Sequence, residues 1–239
     1  MIALIVPCYN EENRLQLQDF VQHEDLGVEF FFVDDGSKDR TAEMIAAFAE
    51  KYPFVHLVKM EKNGGKAEAV RQGFLHAQKT LPLTDQDWVG FWDADLATPL
   101  NEIPKMIQYA ALYGDVDSIW CSRIYRLGSV VKRSHLRHYL GRGFATLASI
   151  MLKIDSYDSQ CGAKLFRPKT ISTGFADSFV GHWVFDIEIL LRLKNYNIIE
   201  YPVTAWSDVP GSKLKVYKEI FRVFFELVEI RKKYIKSGT

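Results

Sequence analysis

From Ile2 to Tyr113 the chain alternates short, β-rich apolar runs with helical patterns, and this alternation limits the fold more than any other feature. The runs Ile2–Val6, Glu29–Val33, Phe54–Val58 and Trp88–Trp92 read as strands. The segments Glu11–Val21, Thr41–Tyr52, Lys66–Thr80 and Asn101–Tyr113 read as helices. Such alternation predicts a mostly parallel sheet covered by helices. A fifth strand, Asp117–Ser122, ends at Arg123. In open sheets of this kind ligands bind beyond the carboxyl ends of the strands. The polar residues that follow each strand are therefore candidates as a group: Tyr9, Asn10 and Glu11; Asp34, Asp35, Gly36 and Ser37; Asp93 and Asp95.

The second half has a different character. A basic, loop-like stretch after Arg123 leads into a helix from about Lys132 to Lys153, with Leu136, Leu140, Phe144, Leu147 and Met151 at helical spacing. Arg133 and Arg137 stand one turn apart on it. A helix over Val184–Lys194 and a strand over Ile198–Val203 follow. The segment Lys215–Lys236 is amphipathic, with Phe221, Phe224, Phe225 and Val228 on its apolar side and Arg231-Lys232-Lys233 near its end. No repeat or Gly/Ser linker interrupts the 239 residues, so one continuous domain is expected.

Charge excludes one class of partner. Lysine plus arginine equals aspartate plus glutamate, 30 each, so nothing global draws the chain to nucleic acid and any basic site must be local. Cys8, Cys121 and Cys161 are scattered and lack metal-ligand spacing, which suggests reduced thiols and a cytoplasmic location. The start of the chain lacks a signal-peptide pattern, and no stretch approaches the roughly 20 apolar residues that span a bilayer.

Asp93-Ala94-Asp95 closes the run Trp88–Trp92. Strand side chains alternate faces, so the two carboxylates can point the same way, and a hard cation would relieve their repulsion and offer positions to phosphate oxygens. The plainer alternative is a turn with two solvated aspartates. Asp34, Asp35 and Ser37 suit a strand-to-helix turn as well as a ligand site. Asn63-Gly64-Gly65-Lys66 precedes a helix, where free amides and the Lys66 ammonium can meet a diphosphate, or simply cap the helix. None of the six histidines forms a pair at metal-binding spacing.

Taken in order, PCYNEEN, FFVDDGSKDRT, NGGKAEAVRQGF and DADLATP resemble the family 2 glycosyltransferases, whose catalytic domains have the GT-A fold. That is a Rossmann-like, mostly parallel sheet flanked by helices, here with a helical acceptor-side extension. The later segments CSRIYRLGS, RSHLRHYLGRGF, DSQCGAKLF, HWVFDIEILLRL and VPGSKL look most like the subgroup that moves a sugar onto a polyprenyl or dolichyl phosphate, with the glucosyl enzymes nearest and the mannosyl enzymes close by. The resemblance divides the chain into a nucleotide-sugar half, residues 1–123, and an acceptor half, residues 124–239. It implies that Pro7, Tyr9 and Glu11 surround the nucleoside, that Asp35 lies near the base or ribose, and that Lys66 and Asp93 face the diphosphate. It also implies Mg²⁺ or Mn²⁺ on Asp93 and Asp95, a catalytic set of Asp95, Arg123 and Asp158, and an acceptor-phosphate site of Arg123, Arg133 and Arg137.

Several expectations follow from the resemblance. The reaction is an inverting transfer of a hexose, from UDP-glucose first and GDP-mannose second, to a polyprenyl or dolichyl phosphate. The protein then works in the cytoplasm, peripherally on the cytoplasmic face of a membrane or beside a membrane partner. Two alternatives stay open: transfer to a glycan hydroxyl, with Asp158 as general base, and nucleotide-sugar binding without turnover. Asp186 and Glu188, His182, and the loop Gly211-Ser212-Lys213 are weaker candidates at the sugar and diphosphate. The lipid-phosphate mannosyl enzymes of the family that the chain resembles often have a glutamine two residues after the second aspartate, where this chain has Ala97, which leaves the third metal ligand open.

Overall fold

The computed structural model describes residues 1–132, 135–208 and 216–235; the side chains of residue 24, of 135–138, of 140 and of 216–221 are outside that description. Nine strands are assigned among the described residues: β1 (Ile2–Cys8), β2 (Val28–Asp34), β3 (Val55–Lys59), β4 (Trp88–Trp92), β5 (Ser118–Ser122), β6 (Val130–Lys132), β7 (Ala163–Phe166), β8 (Ile198–Pro202) and β9 (Ala205–Ser207). The helices are α1 (Leu17–Val21), α2 (Thr41–Ala49), α3 (Lys66–Thr80), α4 (Glu102–Ala110), α5 (His135–Leu152), α6 (Ile171–Gly174), α7 (Phe185–Arg192) and α8 (Val216–Tyr234). Seven strands form one sheet in the order β3-β2-β1-β4-β7-β5-β8, and β6 pairs with β9 in a separate two-stranded ribbon. Only β7 runs against its neighbours β4 and β5 in the large sheet.

Alternation along the strands divides the core in two. On β1 and β2, Leu4, Val6, Phe30 and Phe32 face one side, where they pack with Phe20 and Ile45. Ala3, Ile5, Phe31 and Val33 face the other, against Val70 and Phe74 of α3. This is the burial on both faces that a helix-covered parallel sheet requires. At Gly73 of α3 an added Cβ would run into Ile5 and Val33, so the missing side chain is what lets the helix lie close on the sheet. A third cluster joins Ala148 and Leu152 of α5 to Val184, Ile187, Leu227 and Ile230, which seats α5, α7 and α8 together.

Several elements differ from the sequence reading. The helix expected over Glu11–Val21 begins only at Leu17. Its first residues are taken up elsewhere: the Glu11 amide donates to Thr41 Oγ1 at 2.8 Å and the Glu12 amide to Asp39 Oδ2 at 3.2 Å. The helix over Asn101–Tyr113 gives way to a 3-10 turn at Ala111–Tyr113. Strand β7, which the apolar patterning does not announce, inserts between β4 and β5. Asp93 and Asp95 lie beyond the end of β4, in a turn closed by the Leu96 amide on the Asp93 carbonyl at 3.1 Å, so a turn brings them together and strand alternation does not. Among the described residues no helix is long and apolar enough to cross a membrane.

Glu102 ties the far side of the sheet together. Buried at the start of α4, it accepts from the Thr204 amide at 2.8 Å, Tyr201 OH at 3.0 Å and Lys105 Nζ at 2.7 Å, and from Thr204 Oγ1. Burial pushes its carboxyl up, but these donors outweigh burial and hold its pKa below the ordinary 4.5. A depressed carboxylate stabilises the fold fully above its unfolded value and loses that contribution as pH falls through the folded one. Glu102→Ala is expected to cost about 2–4 kcal/mol in urea unfolding at neutral pH. The gap between wild type and Glu102→Gln should narrow as pH drops below about 4.

Candidate active site

The carboxyl ends of β1 and β2 are laced together before any ligand arrives. The Asn10 amide donates to Ser37 Oγ at 3.0 Å, the Lys38 amide to Asn10 Oδ1 at 2.8 Å, and the Asp35 amide to the Cys8 carbonyl at 2.9 Å. Asn10 and Leu96 both hold positive φ, 52° and 50°, and both sit in the loops that follow inner strands. Left-handed backbone in residues other than glycine costs about 1–2 kcal/mol and is retained where neighbours over-determine it.

Asp35 organises the third loop. Its Oδ1 accepts the Gly64 amide at 2.6 Å and its Oδ2 the Gly65 amide at 2.9 Å. These are the amides that the sequence offered to a diphosphate; the structure gives them to Asp35. Burial raises the Asp35 pKa, and the two amides pull against it. Asp34 is fully buried and takes the Ser37 amide at 3.3 Å, in keeping with a turn-forming role. The loop so held ends at Lys66, whose Nζ lies 2.5 Å from Asp93 Oδ1. Burial works against the Lys66 charge, but Asp93, then Asp186 and Asp95, outweigh it and raise its pKa.

Asp93 is fixed from a second direction. Its amide donates to the Gly162 carbonyl at 2.9 Å, and its carboxylate occupies the space that a Cβ on Gly162 would need. Asp95 accepts the Ala97 amide at 3.1 Å, and its pKa is raised by burial first and by the charge of Asp93 second. A cavity of about 280 Å³ lies beside it, lined by Glu11, Arg14, Gln16, Ala94 and Asp95 among others. Pro7 is paired in β1 opposite Val33, and the Tyr9 ring is exposed beyond the strand's end. Two carboxylates that repel one another fit a hard divalent cation, since it removes the repulsion. Among the described residues no three His, Cys, Asp or Glu side chains gather as a metal cage, so diphosphate and water oxygens would complete the set. Ala97 brings no side-chain ligand: its amide donates to Asp95 and its carbonyl accepts the Ser207 amide at 3.0 Å.

On the acceptor side, Arg123 follows β5 and forms a two-pronged pair with Asp158: Nε to Oδ2 at 2.6 Å and Nη2 to Oδ1 at 2.7 Å. The Arg123 amide also donates to Oδ2, at 3.0 Å. Burial works against the guanidinium charge, Asp158 outweighs it, and the Arg123 pKa rises above its ordinary value. Trp206 of the β6–β9 ribbon lies over the guanidinium, 5.3 Å from ring centre to Cζ. Arg133, the Arg137 side chain and Gly211-Ser212-Lys213 lie outside the described residues.

Sequence reasoning passed over Lys164. It sits fully buried in β7, donating to Asp186 Oδ1 at 2.6 Å and to the Cys161 carbonyl at 2.5 Å, between the rings of Phe91 and Trp120. Its signal was a charged residue inside the apolar AKLF run. Asp186 thereby serves as the partner of a buried cation, near Lys66. Glu188 is spent on the Val180 and Gly181 amides, Arg192 and Tyr234 OH, so it bears on folding. His182 is exposed, about 4.0 Å from where a Cβ on Gly65 would stand.

The model of Glycosyl transferase family 2 matches residues 3–175 of the chain. A dolichyl-phosphate beta-glucosyltransferase of Dictyostelium discoideum is 32% identical, over 98% of this chain and 75% of that protein. The Saccharomyces cerevisiae protein of that name is 32% identical with the same coverage, and the Homo sapiens one is 29% identical over 99% and 76%. Among solved structures, glucosyl-3-phosphoglycerate synthase from Mycobacterium tuberculosis, in complex with Mn²⁺, UDP and phosphoglyceric acid, superposes with a TM-score of 0.65 at 17% identity, over 100% of this chain and 80% of that one. A mannosyltransferase from Pyrobaculum calidifontis, in complex with GDP-Man and Mn²⁺, gives 0.64 at 20% identity, over 100% and 65%. Likeness at those identities establishes the fold, which is GT-A.

The buried pair beneath the site makes a stability prediction. Asp186→Asn leaves the Lys164 ammonium without its counter-charge in an apolar setting and should cost about 3–5 kcal/mol. The double variant Lys164→Met/Asp186→Leu should recover most of that loss, read from urea midpoints at unchanged slope.

Proposed function

The chain belongs to glycosyl transferase family 2, and from that premise we propose that it moves glucose from UDP-glucose, with inversion, onto the phosphate of a dolichyl or other polyprenyl carrier. The names of its relatives support the donor sugar and the lipid acceptor. The observation that carries the choice of acceptor is the Arg123–Asp158 pair. A hydroxyl acceptor needs a base, and protonating Asp158 would break a buried two-pronged ion pair. A phosphate acceptor is already anionic and needs positioning, which a guanidinium supplies. This weighs against a glycan hydroxyl as acceptor.

In this reading Pro7, Tyr9 and Glu11 border the nucleoside, and Asp35 serves it both by direct contact and by shaping the Gly64–Gly65 loop. Lys66 stays charged under Asp93 and faces the diphosphate, where it offsets negative charge that develops on the leaving group. Mg²⁺ or Mn²⁺ would be held by Asp93 and Asp95 and would supply Lewis-acid charge to the same diphosphate. Arg123, with Arg133 and Arg137, orients the acceptor phosphate for attack from the opposite face.

A lipid acceptor calls for contact with a membrane surface. Phe224 and Phe225 of α8 are 44% and 65% exposed, and Ile150 of α5, the helix that α8 packs against, is 74% exposed. Arg231 and Lys232 are exposed in the last turn of α8. Apolar side chains with flanking cations suit an interfacial helix pair on anionic lipid.

The decisive experiment offers UDP-glucose or GDP-mannose, a short polyprenyl phosphate and Mg²⁺ or Mn²⁺, and follows sugar-lipid formation. UDP-glucose should give product; folded protein that yields none with either donor would overturn the proposal. Asp95→Asn should abolish turnover. Gly162→Ala, which drives Asp93 from its place, should lower kcat/KM about 100-fold. In co-sedimentation with anionic vesicles, Phe224→Ser/Phe225→Ser should weaken partitioning about tenfold or more.

A further inference from the structure

Asp158 reaches Arg123 from a segment with little regular structure, residues 156–158, so something must hold it there. The holder is Glu200 in β8, paired in register opposite Trp120 of β5. A single oxygen, Oε1, accepts from Ser156 Oγ at 2.6 Å, the Tyr157 amide at 2.7 Å and the Asp158 amide at 3.1 Å. Three donors converge on this one side-chain oxygen, so removing it would leave two amides and a hydroxyl without their acceptor. From the other side Arg142 of α5 donates to the Tyr157 carbonyl at 2.8 Å and covers its ring at 3.8 Å. The segment is thus clamped between a sheet strand and a helix. Asp158 and Trp206 then fix the Arg123 guanidinium.

We propose that Glu200 is a positioning residue of the acceptor site: through residues 156–158 it sets Asp158, and through Asp158 it sets the Arg123 guanidinium that receives the acceptor phosphate. This rests on the reading of Arg123 as the acceptor-phosphate residue. Glu200 touches no substrate. Its effect is confined to the acceptor, because the donor-side loops at Asp35, Gly64–Lys66 and Asp93 are held by other contacts.

The test compares wild type, Glu200→Gln and Glu200→Ala, using a short isoprenyl phosphate as acceptor. Two readouts are taken: KM for acceptor and for UDP-glucose in the transfer assay, and calorimetric binding of the isoprenyl phosphate alone. Glu200→Ala should raise acceptor KM and weaken isoprenyl-phosphate binding about tenfold or more, with donor KM unchanged. Glu200→Gln keeps an acceptor oxygen and should stay within about threefold of wild type. An unchanged acceptor KM in Glu200→Ala, or an equal rise for donor and acceptor, would overturn the proposal. Should Glu200→Ala fail to fold, Ser156→Ala, which removes one of the three donors, must raise acceptor KM alone, and no change there overturns it. If wild type binds isoprenyl phosphate without transferring sugar to it, the proposed reaction fails, and Glu200 is judged on binding: a tenfold loss upholds it and equal affinity refutes it. If wild type does not bind isoprenyl phosphate at all, both fall.

Discussion

The contact on which the site depends most is the ion pair buried beneath it. Lys164 of β7 and Asp186 of α7 meet at 2.6 Å with almost no solvent access. A buried ammonium is tolerable only with full pairing, and here a carboxylate, a carbonyl and two aromatic faces supply it. The pair binds α7 to the sheet and fixes β7 between β4 and β5. That in turn sets Gly162 against Asp93 and leaves Asp186 close enough to add its charge to Lys66. The position of the acidic turn after β4 therefore follows from a residue on a different strand and a helix from a different part of the chain.

Acidic residues elsewhere do related work as brackets for loops. Asp35 takes the amides of Gly64 and Gly65, Glu188 those of Val180 and Gly181, Glu226 those of Trp183 and Val184, and Glu200 those of Tyr157 and Asp158. Each carboxylate holds two consecutive amides of a segment that lacks a helix or strand to satisfy them. Charge-assisted bonds of this kind are stronger than neutral ones, and an unmade bond in a buried loop is costly. The brackets at Glu188 and Glu226 join the loop carrying His182 and Trp183 to α7 and α8, so the C-terminal helix bears on the neighbourhood of Gly65.

The fold was largely legible because its inner strands are continuous apolar runs. Ile2–Val6, Glu29–Val33 and Trp88–Trp92 mark β1, β2 and β4 to within two residues. Strand β7 was hidden because Lys164 breaks its apolar character, and the partners that make a lysine acceptable there, Asp186 foremost, come together only in the fold. The ribbon of β6 and β9 was hidden by its length, three residues a strand. Within the site, the sequence pointed to the residues that meet at the sheet edge, Lys66, Asp93 and Asp95 together, and Arg123 with Asp158. It could not show what occupies them. The Gly64 and Gly65 amides look free in sequence and are engaged by Asp35, while Glu200 carries no local signal of its partners more than forty positions away.

Among the described residues, three cations of the site are each matched to an aspartate: Lys66 with Asp93, Arg123 with Asp158, Lys164 with Asp186. The matching holds all three in place, and for Lys66 and Arg123 the paired aspartate favours the charged form. For Lys66 and Arg123 burial works against charge, so without its aspartate each cation would be less readily charged. A site made of paired charges has already met the cost of desolvating and orienting its cations during folding. Under the proposed reaction, a phosphate group would meet paired charges that need little rearrangement, the condition under which electrostatic stabilisation of a transferring group is largest. By the same matching, exchange of a single aspartate would reach beyond its own contacts, because it leaves a cation without its counter-charge.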